Sequence, residues 1–169
     1  MTALGPPVEN ARVNSAPPRS SSPWKGILAG GVIGGVLDII FAFVFYGLRG
    51  TPPVRILQSV ASGLLGKKAF DGGAGTAALG GVFQLFIPTV AAAVYYGFDR
   101  TLPVVRRHPA VCGVLFGVVI YGVMNFVVLP LSAIPWKPRY PIGVVIPGLL
   151  AHMFLIGLPI ALAVRRFSR

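Results

Sequence analysis

Acidic residues are what this 169-residue chain has least of: Glu9, Asp38, Asp71 and Asp99 are all there are, and charged residues of both signs make up only 11%. Soluble domains are about one quarter charged, so an ordinary water-facing surface is excluded over most of the chain. Cys112 is the only cysteine, which rules out an intrachain disulfide and a cysteine-rich metal site. Opening an apolar segment, it reads as a small packing residue. The two histidines are His108 and His152. A zinc site needs three or four protein ligands, and one histidine with one aspartate falls short, so no metal or other cofactor is expected. Nucleophilic catalysis finds no support either. Ser59 and Ser62 follow no G-x-S-x-G elbow, and His108 adjoins Pro109 in a basic loop. Asp71-Gly72-Gly73-Ala74-Gly75 is followed by no P-loop Lys and Ser/Thr pair and reads as a flexible turn. No catalytic constellation is present, and an enzyme is not expected.

Apolar length is what the chain has in its place. Hydrophobic residues make up 54% and the mean hydropathy is +0.77. Four windows, at about 27–48, 76–97, 110–131 and 142–164, are each long enough to cross the ~30 Å hydrocarbon core at ~1.5 Å per residue. They predict an all-α polytopic membrane protein, a bundle of four transmembrane helices occupying residues 24–169, with no room for a separate catalytic domain. Residues 1–23, rich in Pro and Ser, read as a disordered cytoplasmic tail. The tail lacks the early apolar core of a signal peptide, so the first window is expected to remain as an anchor. Between windows one and two, residues 53–66 place Ile56, Leu57, Val60, Ala61, Leu64 and Leu65 on one helical face and Arg55, Gln58, Ser59 and Ser62 opposite. That pattern predicts an amphipathic helix, interfacial or re-entrant.

The formal charge is +11, yet the basic residues fall between the apolar windows. They read as topology signals and contacts to anionic membrane lipid, not as a nucleic-acid surface. Nine lie on the side of the termini (Arg12, Arg19, Lys25, Arg100, Arg106, Arg107, Arg165, Arg166, Arg169) and six opposite (Arg49, Arg55, Lys67, Lys68, Lys137, Arg139), which favours cytoplasmic termini. Trp136, Lys137, Arg139 and Tyr140 read as an interfacial anchor.

Two features inside the windows concern function. Gly30 with Gly34, Gly31 with Gly35, and Gly113 with Gly117 are small-xxx-small pairs that permit close backbone approach, either within the monomer or in a homo-oligomer. Each window also carries one strongly polar residue away from its ends: Asp38, Gln84, Asn125 and His152. Such residues are costly in hydrocarbon and face the bundle interior. Together they predict an intramembrane polar cluster, with Asp38 bonded to His152 and Gln84 and Asn125 bridging helices. Pro88, mid-window, should kink its helix or free a carbonyl.

The glycine-rich first helix ending in Asp38-Ile39-Ile40-Phe41-Ala42, the segment Ile56-Leu57-Gln58-Ser59-Val60-Ala61-Ser62-Gly63, and Met124-Asn125-Phe126-Val127-Val128-Leu129-Pro130-Leu131-Ser132 resemble a family of small four-helix bacterial inner-membrane proteins related to the YagU-like group. The resemblance covers nearly everything after Trp24. It implies a multi-pass inner-membrane location and no established activity, the YagU-like group being associated with acid tolerance. Related sequences carry histidine near the Gln84 position, and the departure here weakens a paired-histidine metal or proton site. Two functions stay open: a structural, interaction or envelope-stress role resting on the buried cluster, or a small proton-coupled transporter or carrier using Asp38 and His152, with the proton or a small molecule as its substrate.

Overall fold

The structure, a computed structural model, describes residues 22–137 and 139–167. The expected tail therefore lies outside the described residues except for Ser22 and Pro23. Six α-helices, α1 Pro23–Gly47, α2 Pro53–Leu65, α3 Gly73–Thr101, α4 Pro103–Arg107, α5 Pro109–Leu131 and α6 Ile142–Phe167, are described, with a 3-10 turn Gly66–Phe70 after α2. Among the described residues there is no strand. α1, α3, α5 and α6 are the four helices long and apolar enough to cross a membrane.

Local chemistry sets the boundaries. Proline occupies the first turn of α1, α2, α4 and α5, where a missing N–H costs nothing and the fixed φ suits a helix. α1 thus begins four residues before its apolar window, taking in Trp24 and Lys25. Gly73, Ala74 and Gly75, expected as a flexible turn, form the first turn of α3. The Thr76 hydroxyl donates to Ala69 O at 2.6 Å, and Gln58 Nε2 donates to Gly73 O at 3.0 Å, which ties that turn down. Part of the expected basic loop between α3 and α5 is the short helix α4, with Val105 buried.

α1 is the central wedge, and two glycine edges make it one. Gly26, Gly30 and Gly34 face α6, where an added Cβ would stand 3.2, 3.1 and 3.5 Å from the Cα atoms of Val164, Ile160 and Ile156. Gly31 and Gly35, one residue or ~100° further round, face α3; a Cβ on Gly31 would strike Thr89, and one on Gly35 would lie 2.7 Å from Gln84 O. α5 packs on α6 through Gly113 and Gly117, whose Cβ positions would meet Ala161 Cβ, Gly157 O and the His152 carbonyl. The numbering of these contacts runs oppositely on the two partners, so α1 is antiparallel to both α3 and α6, and α5 to α6. The ends of the described chain meet, with Ser22 N donating to Phe167 O at 3.0 Å.

The core sits at that end. Ile27, Ala91, Ala92, Tyr95, Val105, Phe116, Ile156, Ile160, Ala161 and Val164 form one buried cluster. Tyr95 is its polar pin, stacking edge-on against Phe116 at 5.1 Å while its hydroxyl donates to Pro109 O at 3.3 Å.

α2 corrects the expected face assignment. It packs along α3 with Ile56, Gln58, Ala61 and Ser62 buried, whereas Leu64 and Val54 are exposed. Gln58 and Ser62, placed opposite the apolar face by spacing alone, are buried with their polar groups satisfied: Gln58 reaches Gly73 O on α3, and Ser62 Oγ donates to Ser59 O in its own helix at 2.6 Å. Gly80 lets α3 lie directly against the Leu57 carbonyl.

Candidate functional site

Burial divides the bundle into two unlike halves. In α1 every buried residue lies between Gly26 and Gly35. In α5 the buried residues are Pro109, Gly113, Phe116 and Gly117, and in α6 they begin at Ala151. Beyond these points, away from the chain ends, the side chains of all three helices are half-buried or exposed. The candidate polar residues stand in or at the edge of this looser half: Asp38, Gln84, Asn125 and His152 are each half-buried.

The structure joins Asp38 to Gln84. Gln84 Nε2 donates to Asp38 Oδ2 at 2.7 Å across the α1–α3 contact. The glycines make this bond available, because Gly31 and Gly35 bring the backbones together one turn before Asp38, close enough for two short side chains to meet. Pro88 contributes as well. Its missing N–H leaves Gln84 O without a helical donor, and that oxygen lies against Gly35 while α3 continues unbroken past the proline. The Thr89 hydroxyl donates to Leu85 O at 2.7 Å beside it.

Asn125 and His152 have other partners. His152 Nδ1 lies 2.9 Å from Gly148 O, one turn back in its own helix, so Nδ1 carries the proton of that bond. The ring stacks edge-on against Tyr121 at 5.2 Å. Asn125 Nδ2 donates to Tyr121 O at 2.9 Å. Among the described residues, no hydrogen bond connects the Asp38–Gln84 pair to Asn125 or His152. The arrangement is two polar groups on two helix pairs, α1–α3 and α5–α6.

Tyrosines lie around them, of which the sequence pattern marks only Tyr140, as an interfacial anchor. Tyr46 lies two turns beyond Asp38 on α1, and Tyr121 packs on the His152 ring. Tyr140 answers a backbone need. α5 widens to a π turn over Met124–Val128, so Leu129 N–H bonds Met124 O, and the next donor in that register would be Pro130, which has none. Asn125 O is left over, and the Tyr140 hydroxyl donates to it at 2.7 Å. α6 repeats the device over His152–Gly157, where Leu158 N–H bonds Met153 O just before Pro159. Widening the helix ahead of a proline relieves the clash of its ring with the carbonyl one turn back.

Among the described residues, no three His, Cys, Asp or Glu side chains come together. Cys112 is half-buried against the core with Sγ 3.8 Å from Val104 O. No protein-family model matches the chain, and neither a curated protein nor a solved structure matches it. Length and hydropathy of its four long helices are consistent with a multi-pass membrane protein.

Proposed function

We propose that the chain is a multi-pass protein of a bacterial inner membrane that carries a proton or a small cationic solute on Asp38, reached from the looser half of the bundle. One observation supports this above the others: a half-buried carboxylate at mid-helix whose hydrogen-bond partner is a neutral amide. An amide donates to one oxygen and neutralises nothing, so an ionised Asp38 at bilayer depth would carry an uncompensated charge, costing roughly 2.5–3.5 kcal/mol on insertion scales. Binding a proton or a cation removes that cost. A structural tie between two helices needs no charge, and asparagine would serve as well. His152 is a second titratable group, on the other helix pair. α2 lies along α3 at the outer end as a re-entrant or interfacial element, and the resemblance to the YagU-like group fits a protein exposed to acid.

Two measurements on the protein in liposomes test the reading. An apolar carbodiimide attacks only a protonated carboxyl in an apolar site; it should label Asp38 in the wild-type chain, less as pH rises, with one adduct fewer in Asp38→Asn. Liposomes loaded with a pH-sensitive dye should dissipate an imposed pH gradient faster with the wild-type chain than with Asp38→Asn. Equal rates for the two proteins would remove Asp38 from any coupling role and leave the Asp38–Gln84 bond as an interhelical tie, the second reading, which its 2.7 Å length favours.

A further inference from the structure

At the outer end of the looser half, Tyr46, Trp136, Lys137, Arg139, Pro141 and Val144 line a concavity of about 650 Å³. We propose that it binds a phosphate group of net negative charge, borne by an anionic glycerophospholipid or free in solution. The inference shares with the proposed function only the membrane-spanning topology and does not depend on Asp38.

The charges carry it. Two cations face one hollow, and none of the six lining residues is acidic. Neighbouring arginines are already engaged: Arg49 donates to Phe45 O at 2.7 Å with its guanidinium 3.6 Å over the Phe45 ring, and Arg55 lies 5.4 Å over the ring of Phe70. Lys137 and Arg139 have no ion pair or hydrogen bond among the described residues. Arginine forks onto phosphate oxygens and lysine supplies a point charge beside it. α6 starts in the same hollow with no acidic residue in its first turn and no side-chain cap, so its dipole adds to the positive potential.

The walls are held rather than loose. Ala133 N donates to Gly63 O at 2.8 Å, and the Trp136 ring packs on Phe70 at 6.1 Å, which fastens the segment before α6 to the end of α2. Tyr46 and Val144 come from the two helices on either side. The volume is within the range of small-molecule pockets and exceeds what a bare phosphate fills, leaving space for ester arms. Tyrosine and tryptophan beside lysine and arginine match the depth at which lipid phosphates lie.

The test uses the full chain with Trp24→Phe, so that Trp136 is the remaining tryptophan, in phosphatidylcholine nanodiscs. Brominated phosphatidylglycerol should quench Trp136 about twofold more than brominated phosphatidylcholine at equal mole fraction. Inorganic phosphate that reverses the difference assigns the site to phosphate from either source; phosphate without effect assigns it to the membrane lipid. Lys137→Gln with Arg139→Gln should abolish the preference at unchanged circular dichroism, and the charge-keeping exchange Lys137→Arg with Arg139→Lys should retain it. Asp38→Asn should leave it unaltered, which separates this inference from the carrier reading. Equal quenching by the two lipids with no change in Trp136 emission on adding inorganic phosphate, or a preference that survives the double glutamine variant, overturns the proposal.

Discussion

A glycine is informative here only when its empty side is filled by another helix. Gly117 backs onto the His152 carbonyl and stands so that a Cβ would lie 2.6 Å from Met153 Cα, whereas a Cβ on Gly122, five residues on, would meet nothing within 4 Å. Gly117→Ala should therefore push α5 off α6 and destabilise the protein by about 1–3 kcal/mol, the cost of overpacking. Gly122→Ala should stabilise it by roughly 0.5–1 kcal/mol through the lower entropy of alanine in the unfolded chain. Reversible unfolding in mixed micelles reads both, and equal effects would contradict the assigned contact. The small-xxx-small spacing was legible in the sequence. Its direction was not: Gly30 and Gly34 could face a second copy as readily as α6, and only the fold shows that both glycine edges of α1 are occupied within the chain. Asp38 is a similar case. Its presence mid-helix was plain, but Gln84 in place of His152 as its partner depends on which edge of α1 meets α3.

At the level of elements, prolines account for most of the departures from regular helices. α5 ends at Leu131, as its apolar window predicts, and so passes Pro130 by one residue; the cost appears as an orphaned Asn125 carbonyl met by Tyr140. A double-mutant cycle follows. Tyr140→Phe should destabilise the wild-type chain by about 1 kcal/mol, the net value of one hydrogen bond. The same change should be nearly neutral in a Pro130→Ala background, where residue 130 regains an N–H for that carbonyl. Additive losses in the same unfolding assay would rule out the compensation. α2 shows where periodicity falls short. Its 3.6-residue pattern located the helix within a residue of its ends but sent Gln58 and Ser62 outward, on the assumption that water lies opposite the bundle. When the outer surroundings are hydrocarbon or the partner helix offers backbone acceptors, polar residues gain by facing in.

For the whole molecule the decisive feature is unequal packing. The half bearing the ends of the described chain is closed by the Ile27, Tyr95 and Phe116 cluster, and the half bearing Asp38 and Tyr140 is not. If the termini are cytoplasmic, as the charge bias favours, the looser half opens outward. A membrane-impermeant thiol reagent applied to intact spheroplasts should then label Lys67→Cys and spare Arg107→Cys, both in a Cys112→Ala background; the opposite pattern would invert the orientation.

Composition and hydropathy alone determine that the chain is helical, that four segments are long and apolar enough to span a membrane, and where each carries its polar residue. These are properties of single segments, set by residue type and spacing. Tertiary structure decided the rest: that α1 is wedged between α3 and α6, that Asp38 meets Gln84 while His152 turns back on Gly148, and that Lys137 and Arg139 share a hollow with Tyr46. Each of those depends on the rotation of one helix against another. Local sequence carries no record of that angle, because an apolar helix in hydrocarbon presents nearly the same face all round until backbone contact at a glycine selects one.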